Sequence, residues 1–243
     1  MTTARGVAPF WLDPESPEID FPDVNLALKN PDGLLAIGGD LSEARLLKAY
    51  RRGIFPWYGP GQPILWWSPD PRLVLYPGRL HISRSLAKTL RKGMFQVSMD
   101  RAFEAVISAC AAAREDESGT WITPEMKAAY LKLYREGHAH SVECWQADRL
   151  VGGLYGVSIG QAFFGESMFA RVNDASKVAL VWLVQQLQRW NFQLVDCQVH
   201  TRHLVSLGAS ALARDEFTRL LEAACNRPAP PSPWTIDADL VIP

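Results

Sequence analysis

The chain is 243 residues long, with 48% hydrophobic residues, nine Trp and 21% charged residues, a composition that supplies a large core and excludes a disordered chain. A formal net charge of −1 excludes a uniformly basic nucleic-acid coat and leaves room for a local basic patch. The opening MTTARGVAPFWLDPE lacks the apolar run of a secretory signal, and no stretch approaches the roughly 20 apolar residues that span a bilayer, so a cytosolic protein is expected.

Up to about residue 65 the chain is rich in Pro and Gly and reads as a small, turn-heavy N-terminal module. Within it Ser42 is placed to cap a helix with Leu46, Leu47 and Tyr50 on its apolar side and Gly53 as its stop. WWSPDPR (66–72) reads as a turn-rich junction, because Pro69 and Pro71 lack amide donors. In HISRSLAKTLRKG, Ser83 caps a helix that ends at Gly93. Arg84, Lys88, Arg91 and Lys92 fall at i, i+4, i+7 and i+8, which gathers four cations on one face. FQVSM (95–99) reads as a strand and RAFEAVISACAAA as a helix with Phe103, Val106, Ile107 and Cys110 inward, followed by the acidic loop REDESG.

TWITPEMKAAYLKLYREG has Thr123 at a cap, Pro124 at the first helical position and Gly137 past the end, with Met126, Tyr130, Leu133 and Tyr134 along one side. HSVECWQ and LVGGLYGVSIG read as strands joined by an ADR turn, and QAFFGESMF as a third, forming an antiparallel meander. A helix over 176–190, a strand FQLVDCQV (192–199) and a helix near 215–225 follow, and the tail PAPPSPW reads as a surface strap. This order predicts an α/β (α+β) protein with a mixed sheet, divided into a small N-terminal domain over 1–65 and a larger domain over 66–243.

No GxGxxG, Walker loop, HExxH or GxSxG is present, which removes the common nucleotide-binding, zinc-protease and hydrolase signatures. Cys110, Cys144, Cys197 and Cys225 show no CxxC spacing and read as buried free thiols. Alternation along FQLVDCQV sends Asp196 and Gln198 to one face and Val195, Cys197 and Val199 to the other. The pattern alone admits either a solvated polar face or a paired acid and amide that binds an amine or polarises a carbonyl. Glu166, inside FFGESMF, must meet water, a local cation such as Arg171 or some other partner, because an unpaired buried charge is costly. The basic helix face fits either simple solvation or a phosphate backbone. Trp57, Trp121 and Tyr130 fit either a core or an apolar binding site.

Taken together, PDGLLAIGGDLS (31–42), RRGIFPWY (51–58), LWWSPDPR (65–72), HISRSL (81–86), GTWIT (119–123), GHAHSVECW (137–145), FFGESMF (163–169), ASKVAL (175–180) and LVDCQVHTRHLVSLGA (194–209) closely resemble the leucyl/phenylalanyl-tRNA–protein transferase family, over about residues 25–217. The resemblance implies a small N-terminal domain before a GNAT-like acyltransferase domain, with no cofactor. It also implies transfer of Leu or Phe from Leu-tRNA or Phe-tRNA to the N-terminal Arg or Lys of acceptor proteins, marking them for N-degron proteolysis. By the same resemblance Asp196 and Gln198 match the catalytic pair and Glu166 the site carboxylate, which would meet the acceptor's basic residue or the donor's amine. Trp57, Trp121, Tyr130, Leu154 and Phe163 match the aminoacyl pocket, and Arg84, Lys88, Arg91 and Lys92 the tRNA-binding helix. His200 stands where an aliphatic residue occurs in some relatives. The rival readings are an acetyl-CoA-dependent N-acetyltransferase, whose pyrophosphate loop HTRHLVSLGA does not reproduce, and a non-catalytic tRNA-binding protein. A monomer is expected.

Overall fold

The computed structural model describes residues 8–16, 20–115 and 120–242. The N-terminal module is built on four short strands, β1 (Phe10–Leu12), β2 (Leu34–Gly38), β3 (Phe55–Pro56) and β4 (Leu65–Trp67), in the order β1-β2-β4-β3. Helix α1 (Glu43–Arg51) lies within it, with the Ser42 hydroxyl accepting from Arg45 N, and Gly53 just beyond its end at φ +72°. The chain leaves this sheet after Trp67 and enters the large sheet at β5 (Arg72–Leu75), so the expected division at 65/66 falls within β4.

The larger part continues with α2 (Arg84–Arg91), β6 (Gln96–Met99), α3 (Phe103–Glu115), α4 (Pro124–Arg135), β7 (Ala139–Gln146), β8 (Arg149–Ile159) and β9 (Ala162–Ala170). It ends with α5 (Ala175–Arg189), β10 (Leu194–Gln198), α6 (Arg202–Ser206), β11 (Ser210–Leu212) and α7 (Arg214–Cys225). Its seven strands run β11-β5-β10-β9-β8-β7-β6, and every neighbouring pair is antiparallel except β9–β10. That parallel step requires a crossover, which α5 provides. The mixed α/β sheet and the β7–β8–β9 meander are therefore as expected, and the turn between β7 and β8 sits at Ala147 and Asp148, both with positive φ. The acidic loop's residues 116–119 lie outside the described residues, while Arg114 and Glu115 extend α3.

Both faces of the large sheet are covered, which is why β8 is buried along almost its whole length. One face meets α3, α4, α1 and α7, where Phe103, Val106, Ile107, Met126, Tyr130, Tyr50 and Phe217 join a single core with the N-terminal module. The other face meets α5, whose Val178, Leu180, Val181, Leu183, Val184 and Leu187 pack with Leu86, Leu154, Phe163 and Val195. Each such buried aliphatic or aromatic side chain contributes about 1.5–3 kcal/mol relative to exposure.

The tail does more than lie on the surface. Trp234 is 1% exposed, stacks on His140 with ring centroids 3.7 Å apart, and donates its backbone N–H to Asp100. Asp237 exchanges two hydrogen bonds with the Gln186 carboxamide. The strap reading is thus corrected to a strap with a buried aromatic anchor. Among the described residues no helix is long and apolar enough to cross a membrane. Cys110, Cys144 and Cys225 are buried thiols and Cys197 is a half-buried one.

Candidate active site

The site lies where β9 and β10 stop pairing. Their ladder runs through Leu194–Ala162, Val195–Phe163 and Asp196–Phe164, and beyond it both strands depart from regular geometry. On β9 the register with β8 shifts between Gly156–Gly165 and Tyr155–Ser167, which leaves Glu166 as the extra residue of a bulge. A bulge re-aims side chains, and here it turns Glu166 toward α1 and α4. On β10, Gln198 adopts φ +62° at a second register shift, against β5. Its Nε2 donates to Glu166 Oε1 at 2.8 Å, bridging the end of β10 and the bulge in β9.

Two helices complete the cluster. Tyr50, from the buried side of α1, donates its hydroxyl to Glu166 Oε1 at 2.8 Å, and Tyr130, from α4, donates to Oε2 at 2.7 Å. The two phenolic oxygens are also within hydrogen-bonding distance of each other. Tyr155 of β8 packs edge-on to Tyr130, and Phe164 backs Tyr50. Glu166 therefore meets phenols and an amide, while Arg171 is engaged with Leu150 O and the Phe169 ring.

Two phenolic protons cannot fill three oxygen–oxygen contacts. With Glu166 ionised one contact lacks a proton; with Glu166 protonated all three become hydrogen bonds. Burial pushes the Glu166 carboxyl up to about 7 against the opposing pull of the bonds from Tyr130, Tyr50 and Gln198, and the nearby Asp196 charge raises it further. Burial and the Glu166 carboxylate in turn raise both phenols well above their ordinary range. The cluster is a buried, proton-poised acceptor, with Glu166 and Gln198 each keeping 8% exposure. Ser167, next along the bulge, has a buried hydroxyl with no hydrogen-bond partner among the described residues.

Asp196 is fully buried, is not hydrogen-bonded to Glu166 itself, and reaches the cluster through Gln198, across a register shift that interrupts the strand's alternation. Arg72 grips it at two points, Nε to Oδ1 at 2.8 Å and Nη2 to Oδ2 at 2.7 Å, and its Oδ1 also accepts the backbone N–H of Gln198 at 2.9 Å. Burial pushes up the thiol of Cys197, between the two, with the Asp196 charge adding to the effect.

The expected pocket residues divide between the faces of the sheet. Tyr130 belongs to the cluster, and Trp121 is half-buried against the same core. Trp57, on the N-terminal module, is 44% exposed and packs edge-on to Trp67 at 5.8 Å. Leu154 and Phe163 lie on the opposite face with α5, Phe163 being 5.9 Å from Trp234. Arg84, Lys88, Arg91 and Lys92 are all exposed on or at the end of α2, which seats Leu86 in the α5-side core.

Two participants, Tyr50 and Arg72, were not singled out from the sequence. Each left a trace there. A tyrosine on the apolar side of a helix needs a partner for its hydroxyl, and an arginine opening the apolar run RLVL needs a buried acceptor.

A family model described as leucyl/phenylalanyl-tRNA protein transferase matches residues 74–222, and one for the N-terminal domain of the same family matches residues 39–70. Proteins named leucyl/phenylalanyl-tRNA–protein transferase are similar over most of the chain. The one from Alkalilimnicola ehrlichii is 58% identical over 95% of this chain and 90% of its own, and that from Azotobacter vinelandii 61% identical over 84% and 90%. The Methylococcus capsulatus protein is 57% identical over 92% and 95%. Among solved structures, L-PGS from Bacillus licheniformis aligns with a TM-score of 0.40 at 10% identity, over 69% of this chain and 54% of that one.

Proposed function

The chain belongs to the leucyl/phenylalanyl-tRNA–protein transferase family, and from that premise we propose that it moves Leu or Phe from aminoacyl-tRNA onto the N-terminal Arg or Lys of acceptor proteins, at the Glu166–Gln198 bridge. The bridge is the observation that carries the reading: it sets a carboxylate and a carboxamide side by side at an opening in the sheet. Apolar side chains lie on both sides of that opening.

The reaction needs the acceptor's α-amine, as the free base, against the ester carbonyl of the donor: the amide C–N bond forms, the ester C–O bond breaks, and the tRNA hydroxyl leaves with the proton that the amine gives up. An α-amine titrates near 8, so a modest acceptor suffices to free its lone pair at neutral pH. Holding both reactants in line converts a bimolecular step into one within a single complex, which is worth orders of magnitude in rate. In this reading Gln198 contacts the attacking amine or the ester carbonyl through its carboxamide. Glu166 receives an ammonium group, from the acceptor's N-terminal residue or the donor. Asp196 orients Gln198 rather than taking a proton, a role supported by its burial and its two-point pairing with Arg72.

The donor's side chain needs an apolar hole. In this reading Tyr130, Trp121 and Trp57 line it from the face that carries α1 and α4, and Leu154 and Phe163 from the opposite face, past the last β9–β10 pair. Discrimination by such a pocket rests on shape, because one methyl group gives only about 10- to 200-fold selectivity. The exposed cations of α2 hold tRNA phosphates, which position the donor without reading its sequence. A monomer in the cytoplasm, where aminoacyl-tRNA is made, completes the reading.

The test is direct: incubate the protein with labelled Phe-tRNA or Leu-tRNA and peptides beginning with Arg or with Glu. Label entering only the Arg peptide is the expected result. Absence of label from both peptides, with the tRNA intact, would overturn the function.

A further inference from the structure

Strand β5 opens with an arginine although all four of its residues are buried, and a buried guanidinium is strongly unfavourable unless its donors are met. Arg72 meets them from three directions. Two donors grip both oxygens of Asp196, and Nη1 donates to Gly53 O at 3.0 Å. The rings of Phe55 and Phe217 lie 4.7 and 4.8 Å from the guanidinium carbon. Gly53 is specialised for its part, since its φ is +72° and a Cβ there would stand 2.7 Å from Phe217 Cε1.

These contacts end at the bridge from both sides. Through Asp196 Oδ1 the grip reaches the backbone N–H of Gln198, a non-glycine residue at φ +62° whose carboxamide points at Glu166. Through Gly53 it reaches the end of α1, the helix that brings the Tyr50 hydroxyl to Glu166. Gln198 and Tyr50 therefore take their places from a common guanidinium.

We propose that Arg72 is a positioning residue for the transfer reaction, fixing through Asp196 and Gly53 the alignment of Gln198 and Tyr50 on Glu166. The proposal rests on the reading of Gln198 as a group that touches the reacting atoms. A lysine at position 72 keeps the charge but, as a single point, cannot hold two carboxylate oxygens and a carbonyl in one plane. The expected defect is therefore in alignment rather than in substrate affinity.

The experiment uses the full chain with labelled Phe-tRNA and an Arg-initiated peptide, comparing wild type, Arg72→Lys, Gln198→Ala and the double variant. Arg72→Lys is expected to lower kcat about 100-fold, as loss of geometry at a distance does, while KM for Phe-tRNA stays within a few-fold. Because one of the two branches of Arg72 acts through Gln198, adding Arg72→Lys to Gln198→Ala should cost only the smaller loss carried by Gly53 and Tyr50, giving a double variant more active than the product of the single losses. Should Arg72→Lys fail to fold, the isosteric Asp196→Asn puts an amide donor where Oδ2 accepts from Arg72 Nη2, breaking the two-point grip, and is expected to lower kcat with KM likewise retained. Wild-type kcat in the folded Arg72→Lys or Asp196→Asn variant, or losses that multiply in the double variant, overturns the proposal. Absence of transfer by wild type would instead strike the functional reading, so the two failures are distinguishable.

Discussion

Glu166 combines deep burial, three hydrogen-bond donors and a carboxyl raised from 4.5 to about 7. A raised carboxyl means that the folded chain keeps a proton that the unfolded chain has already released. Its contribution to stability is therefore fullest below pH 4.5 and is lost as the pH rises toward 7. Replacing it by glutamine removes that loss. Glu166→Gln is expected to be more stable than wild type at pH 8, by an amount on the order of 3 kcal/mol at most, and close to wild type at pH 4.5, as read by urea melts at both values. The same variant should transfer poorly, because it cannot hold an ammonium group. At this scale the sequence revealed one half of the site. Alternation along FQLVDCQV put Asp196 and Gln198 on a common face, whereas in the structure they are linked across a register shift, with Gln198 at φ +62° and its backbone N–H on Asp196. The partners of Glu166 were hidden because Tyr50 and Tyr130 lie 116 and 36 residues away from it in the chain, and no local pattern encodes that convergence.

At the scale of elements, helices with explicit caps were legible. Ser42, Ser83 and Thr123 each accept a backbone N–H from three residues on, and the glycines at 53, 93 and 137 all adopt positive φ just past a helix end. The small N-terminal sheet was not legible, because strands of two to five residues are too short to show alternation. The same holds for the five-residue α6 and the three-residue β11. Helix α2 carries the clearest prediction of this scale, since its four cations are exposed. Reversing Lys88 and Arg91 to Glu should weaken tRNA retention on filters and reduce the slope of log affinity against log salt by about 1.5–2, the share of two phosphate contacts. An unchanged slope would remove α2 from the tRNA surface.

At the scale of the whole molecule, the N-terminal module and the large sheet share one core, so the aromatic residues contributed by each are held in a fixed relation. The other core is closed by the tail, whose Trp234 packs among His140, Phe163, Trp190 and Phe192. A Pro-rich composition announces an extended segment and gives no hint that a single indole in it will be buried 1% exposed. Trp234→Ala is expected to cost about 3–5 kcal/mol and to lower Tm by roughly 10 °C in a thermal melt; a shift below 2 °C would mean that the tail is dispensable for the core. Phe163 adjoins both Trp234 and the opening between β9 and β10, so the same variant should also lower activity toward Phe-tRNA.

The central claim is that the Gln198 carboxamide, which bridges the end of β10 and the bulge in β9, acts on the reacting groups. Single-turnover transfer from labelled Phe-tRNA to an Arg-initiated peptide, with enzyme in excess over tRNA and with wild type and Gln198→Ala compared, tests it most directly. The account predicts a rate about 100-fold slower for the variant, with tRNA retention equal to wild type. Equal rates for the two proteins would contradict it.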